Sequence, residues 1–312
     1  MEILDDAVRH HGTCQLQDGA VESEKKIRRA LSLGPYGVAL TDGSEVCLAW
    51  PNFLKLSNLH LQYTGVYPSL TSTTLESFHF CRLAALASSP CHWSRIDVLA
   101  FETIPRIDEV SAIRRAVARL YSEYAVERKP LWISCVHPHG RMPGWDLDEA
   151  PGDSRGSMQK LVDALLAPGG DALAQVEGIG INCTHPRYLP SLTRDLTREA
   201  KTYWTNLQGP RGMLRLLLYP DDGKEWDPVL RGFKPGGVSF DEWVADVREA
   251  VCLATDSEYN SQVWGEIVVG GCCNTSPEHI RRLADGILIS SFPVVGSSRS
   301  FHTTARSEGI NG

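Results

Sequence analysis

The stretch "EIVVGGCCNTSPEHI" (residues 266–280) sets Cys272 and Cys273 side by side behind Gly270 and Gly271, at the end of an apolar run. Neighbouring residues seldom reach unstrained bridge geometry, so a disulfide within the pair is disfavoured. A metal accommodates both thiols if a third ligand comes from elsewhere, and Cys183 ends a second apolar run, "GIGINC" (178–183). Side chains alternate across a strand, so adjacent cysteines share an ion only where the strand breaks into a turn, which two glycines permit. Three thiolates suit Zn²⁺, whose catalytic sites keep three protein ligands and leave a fourth position for water or substrate. A thiol entering that position loses its proton and becomes a nucleophile. The net negative charge of three thiolates keeps the incoming sulfur electron-rich and makes the zinc a poorer Lewis acid. The chemistry that follows is alkyl transfer to a thiol rather than hydrolysis. The competing readings are a glycine turn with two buried thiols, and a redox pair, which the missing CxxC spacing disfavours.

Such a site needs strand ends that converge. Six short apolar runs are each too short for a helix and suit strands covered on both faces: 29–34, 97–103, 131–137, 177–183, 213–220 and 265–273. Helical patterns at 106–127, 155–168, 187–204, 239–255 and 277–286 follow them. In 108–124 the apolar residues recur at helical spacing with the arginines on the other face, and "SPEHIRRLADG" (276–286) opens with a serine cap and Pro277. Strand then helix, repeated, predicts parallel βα units. No GxGxxG follows the first strand, which leaves a dinucleotide fold without support. A (β/α)8 TIM-type barrel explains more, because its chemistry sits at the C-terminal strand ends, where Glu102, His137, Asn182 with Cys183, Asp221 with Asp222, and Cys272 with Cys273 fall.

A chain of 312 residues, 42% hydrophobic, buries a large core, and a net charge of −7 offers no basic footprint for nucleic acid or an anionic membrane. The start, "MEILDDAVRHHG", lacks the pattern of a secretory signal, and no apolar stretch reaches the roughly 18 residues of a spanning helix. The expected location is the cytoplasm, with the nine cysteines reduced, small molecules as partners, and Cys81, Cys135 and Cys252 simply buried in apolar patterns. The sequence does not determine the oligomeric state.

"SLGPYG" (32–37), "FETIP" (101–105), "GIGINCTHP" (178–186) and "VVGGCCNTSPEHI" (268–280) resemble, in order, the signatures of the homocysteine S-methyltransferase family. The resemblance covers roughly residues 27–287. It implies a (β/α)8 barrel in which Cys183, Cys272 and Cys273 hold zinc and homocysteine's thiolate takes the fourth site. A sulfonium such as S-methylmethionine or S-adenosylmethionine then supplies the methyl group, and methionine is the product. By the same resemblance Glu102 contacts the homocysteine ammonium, the alternative being a helix N-terminal acid or a structural salt bridge. Asn182 either orients substrate or braces the zinc loop, and Tyr36 either contacts substrate or packs on its turn. His137 and His139 are read as loop residues because the cysteines already suffice as ligands.

Two departures accompany the resemblance. Nothing before "RALSLGPYG" resembles the family's first two strands, so residues 1–26 are expected to form a helix and linker ahead of an incomplete barrel. Residues 46–62 interrupt the family pattern. They begin with Val, whose codons start GT, and end with Gln, which CAG encodes, so they read as a retained intron or, alternatively, a surface loop. Residues 288–312 form a Ser-rich tail with no expected catalytic part. The alternative function is a catalytically impaired zinc- and homocysteine-binding remnant of the family.

Overall fold

The computed structural model describes residues 27–37, 71–143, 154–206, 214–227, 232–256 and 263–289. The N-terminal segment 1–26, the insertion 46–62 and the tail beyond 289 lie outside the described residues.

All six expected strands form, and they pair in parallel. They are β1 (Ala30–Leu33), β2 (Val98–Ile104), β3 (Leu131–Cys135), β4 (Gly178–Asn182), β5 (Leu214–Tyr219) and β8 (Trp264–Val269), ordered β1-β2-β3-β4-β5-β8. A two-residue antiparallel ladder, β6 (Trp226–Asp227) with β7 (Gly232–Phe233), lies between β5 and β8 in the chain. The helices are α1 (Ser72–Ala87), α2 (Pro90–Trp93), α3 (Ile107–Glu123), α4 (Ser154–Leu166), α5 (Leu189–Asn206), α6 (Phe240–Thr255) and α7 (Pro277–Ile289). Helix α1, with Thr71 as its side-chain cap, was not expected from the sequence. Among the described residues β1 and β8 do not pair, so the sheet is open. Its edges still approach: Arg28, just ahead of β1, comes within 3.9 Å of Glu266 on β8.

Period-two alternation gives the sheet two unlike faces. Leu33, Leu99, Phe101, Ile133, Ile179, Ile181, Leu216 and Leu218 belong to one core with Val110, Ile113, Val117 and Leu120 of α3. The register places the intervening residues level with one another on the opposite face. Ser32, Ala100, Trp132, Gly178 and Arg215 make one row. Ser134, Gly180 and Leu217 make the next, and Asn182 pairs with Tyr219 beyond it. Polar and small residues therefore accumulate on this inner face towards the C-terminal strand ends.

Three expectations about burial are corrected. Arg114 does not lie on a solvent face of α3: it is buried, and its guanidinium donates to the carbonyls of Ala174, Ala164 and Ala167 at 2.9, 2.7 and 2.6 Å. A planar five-donor group can be enclosed where free carbonyls converge. Cys135 is buried, but Cys81 and Cys252 are exposed. Helix α1 buries Phe80 and Leu83, while α6 buries Val247, Ala250, Val251 and Ala254, which turns both cysteines outward. No helix among the described residues is long and apolar enough to cross a membrane.

Candidate metal and substrate site

The loop after β5 joins the two cysteine-bearing strand ends. Cys183 donates its N–H to the Tyr219 carbonyl at 3.3 Å, and Asp221 donates to the carbonyl of Thr184 at 3.2 Å. On the other side Cys272 donates to the Pro220 carbonyl at 2.8 Å, and Asp222 donates to the carbonyl of Cys273 at 3.2 Å. Four consecutive residues, the last of β5 and the first three of the loop after it, thus bond alternately to the end of β4 and the end of β8. Cys183 has φ 46°, a left-handed turn that re-aims its side chain as β4 ends.

The two glycines act differently from the expectation. Neither lies among the residues with positive φ, whereas Asn274, just past the pair, does, at 58°. Gly271 is required for space, because a Cβ there would stand 2.2 Å from Thr275 Oγ1. That hydroxyl donates to the Cys272 carbonyl at 2.6 Å and so closes the turn.

These constraints bring the three sulfurs within 4.8 Å of one another. Cys273 Sγ lies 3.6 Å from Cys183 Sγ and 3.9 Å from Cys272 Sγ. Cys183 and Cys272 stand closest, with Cα atoms 5.5 Å apart, and Cys273 is a free thiol beside them. Thiols gathered closely enough to share an ion are also within reach of each other. The donor set nonetheless fits zinc. Ligands about 2.3 Å from a tetrahedral ion stand about 3.8 Å apart, which matches the two sulfur distances from Cys273. Burial and the charges of Asp221 and Asp222 push the Cys273 thiol above its ordinary range, so a lone thiolate is disfavoured there and a cation would be favoured. Asp221 is itself pushed up to about 6, chiefly by burial and then by Asp222, against a hydrogen bond from the Gly223 N–H.

Beside the thiols, β2 carries an irregularity between Phe101 and Ile104, where Thr103 has φ 63°. For a β-branched residue this backbone is strained, by about 1–3 kcal/mol, and persists only where neighbours hold it. Asn182 does so: its Oδ1 accepts from the Thr103 N–H at 2.8 Å, and its Nδ2 donates to Thr103 Oγ1 at 2.7 Å. Alternation from Ala100 sets Glu102 on the inner face, where Ser32 Oγ donates to its carboxylate. Tyr219 approaches from β5, its hydroxyl 2.5 Å from Ser134 Oγ, and its phenol is raised by burial and then by the charge of Glu102.

Cys183, Cys272 and Cys273 converge, and Asn182 and Glu102 meet through Thr103. Tyr36 faces the helix layer instead. Its N–H donates to Glu109 Oε1 at 2.6 Å, and its ring packs edge-on to Phe78 and against the buried Leu75 and Ala112. Glu109 and His79, both fully buried, pair at 2.9 Å beneath that turn. His137 is buried, with its N–H on Thr184 Oγ1 and its Nδ1 on the Cys135 carbonyl; neither it nor His139 belongs to the thiol cluster. Thr103, Ser134, Ser32 and Tyr219 were not singled out in the sequence. Ser32, Ser134 and Tyr219 had strand alternation as their one signal, since they share the inner face, whereas Thr103 had none because it lies in the irregularity of β2.

The family model for homocysteine S-methyltransferase matches residues 2–287. The chain belongs to the homocysteine S-methyltransferase family. The match takes in residues 2–26 together with the strands and helices described above. Among its relatives, a selenocysteine Se-methyltransferase of Brassica oleracea var. italica is 28% identical over 287 residues, covering 91% of this chain and 64% of that protein. Homocysteine S-methyltransferase 3 of Arabidopsis thaliana is 29% identical over 284 residues, covering 89% and 62%. Homocysteine S-methyltransferase YbgG of Bacillus subtilis is 28% identical over 258 residues, covering 82% and 60%. The chain thus spans 60–64% of the length of these relatives. The crystal structure of the homocysteine methyltransferase MmuM from Escherichia coli, in its oxidized form, shares the fold with a TM-score of 0.55 at 21% identity, over 91% of this chain and 68% of MmuM.

Proposed function

We propose that this family member transfers a methyl group from a sulfonium to L-homocysteine, giving methionine, at a zinc site formed by Cys183, Cys272 and Cys273. The observation that carries the reading is the convergence of three sulfurs from two strand ends beside an inward-facing carboxylate. Zinc held there would ionise an entering thiol and keep its sulfur nucleophilic. Glu102 accepts hydrogen bonds from the substrate ammonium, an arrangement that leaves the thiol end free to reach the cysteines. Asn182 holds the β2 bulge and so fixes where Glu102 stands. Tyr36 is retained as a substrate contact on the resemblance alone. In-line displacement moves the methyl group to the homocysteine sulfur, and the donor leaves as a neutral thioether with the bonding pair. Two reactants held at near-attack distance avoid much of the entropic cost of meeting.

The same reading places the six strands in a (β/α)8 barrel, treats 27–287 as the homocysteine-binding unit, and sets 1–26, 46–62 and 288–312 apart from it. A cytoplasmic location and small-molecule partners belong with it.

The test uses the reduced, zinc-loaded chain with homocysteine and either S-methylmethionine or S-adenosylmethionine, with methionine as the readout. Turnover with at least one donor, lost in Cys273→Ala, is expected. Binding of zinc and homocysteine with no methionine from either donor would replace the enzyme by the impaired-remnant reading. A variant lacking 46–62 shows whether that segment obstructs turnover.

A further inference from the structure

The turn that follows β1 is held at both ends from the helix layer. The Tyr36 N–H donates to Glu109 Oε1 of α3 at 2.6 Å, and the Gly34 carbonyl accepts from Arg82 Nη2 of α1 at 3.0 Å. His79 joins the two holders: its Nε2 lies 2.9 Å from Glu109 Oε1 and its Nδ1 lies 2.6 Å from Arg82 Nη2. Each proton in this relay is fixed by its neighbours. A guanidinium only donates and an ionised carboxylate only accepts, so His79 carries its proton on Nε2 and is neutral. Burial, which lowers its pKa, favours the same state. His79 and Glu109 are fully buried, and a buried network of this kind is firm only while every member has its partner.

The same imidazole stands behind the strand that carries Glu102. Its ring packs edge-on to Phe101, the residue before Glu102, with centroids 5.4 Å apart. Ser32, two residues before Gly34, donates to the Glu102 carboxylate from the inner face. We propose that His79 is a positioning residue for the amino end of the substrate, which through Arg82 and Glu109 fixes the turn after β1 and so holds Ser32 where it orients Glu102. The proposal rests on the proposed function, in which Glu102 receives the homocysteine ammonium. His79 touches no reacting atom, because it lies on the helix side of the sheet, opposite Ser32 and Glu102. A hydrogen bond to a charged group contributes about 10-fold or more to an equilibrium, so a misdirected carboxylate is measurable.

Calorimetric titration of the reduced, zinc-loaded full chain compares homocysteine with 4-sulfanylbutanoate, which keeps the thiol and carboxylate but lacks the amino group. His79→Leu is expected to weaken homocysteine binding about 10-fold and to leave 4-sulfanylbutanoate and the zinc content unchanged. His79→Gln, whose amide can donate to Glu109 and accept from Arg82, is expected to restore most of the affinity. Ser32→Ala is expected to weaken homocysteine selectively as well, and to add little in the His79→Leu background, since both act on one carboxylate. Should His79→Leu fail to fold, Arg82→Met, which removes the donor to Gly34 and to His79, carries the same comparisons. Equal weakening of both thiols would overturn the proposal by making the relay a general structural support, and so would additive effects with Ser32→Ala. Unchanged homocysteine binding would also overturn it while leaving the proposed function intact. A wild-type chain that binds neither thiol would remove the proposed function, and this role with it.

Discussion

At the scale of single residues, the cysteines and the buried histidines make opposite demands on charge. The reduced chain is expected to bind about one zinc through sulfur, and Cys183→Ala, Cys272→Ala and Cys273→Ala are each expected to abolish it. Metal analysis that finds full zinc in all three variants would remove the assignment. His137 is 2% exposed, and burial lowers its pKa to about 4, against a partial offset from its bond to the Cys135 carbonyl. The unfolded chain takes up this proton first as pH falls, since its histidines titrate near about 6.5. Stability is therefore unaffected above that value and is lost progressively between about 6.5 and 4, by up to about 3 kcal/mol. Denaturant unfolding at pH 7 and pH 5 measures the slope, and His137→Gln is expected to flatten it. His185, also lowered to about 4, contributes in the same direction, so the difference between variants is the informative quantity. The sequence shows that His137 stands at a strand end. That it is neutral and structural follows only from what encloses it.

At the scale of elements, the glycines decide how closely the strands and turns approach. Gly180→Ala would bring a Cβ to 2.0 Å from a main-chain oxygen, which cannot swing away. A loss of about 3 kcal/mol is expected on chemical denaturation, the upper part of the usual range for overpacking. The GGCC turn supplies an internal comparison. Gly270 meets only Tyr219 Cβ, at 3.5 Å, so Gly270→Ala is expected to keep both stability and zinc. Gly271→Ala collides with Thr275 and is expected to weaken zinc retention. Equal zinc content in these two variants would show that the turn tolerates a side chain at either position. Strand and helix order were legible because short apolar runs alternate with longer amphipathic ones. Helix α1 was not, because only Leu75, His79, Phe80, Leu83 and Ala87 are buried along it and its polar face carries few charges to mark the period.

At the scale of the whole molecule, zinc is expected to stabilise the fold as any ligand of the native state does. At a free concentration about 100-fold above Kd the gain is about 2.7 kcal/mol, which in a chain of this size raises Tm by roughly 5 °C. Scanning calorimetry of the reduced chain with zinc and with chelator measures it, and coincident melting curves would argue against a preformed site. The sequence by itself determined the parallel βα order, the six strands, the three converging cysteines and the family. Each of these depends on local periodicity or on a short run of residues, which a linear reading preserves. Only the tertiary structure decided that residues 219–222 stitch the two cysteine-bearing ends together and that Asn182 spends both ends of its amide on Thr103. It also decided that Tyr219 meets Ser134 and that Arg114 is enclosed by three carbonyls. These are pairings between residues far apart in the chain. A hydrogen bond depends on the separation and angle of two atoms in space, and nothing in the spacing along the sequence records that.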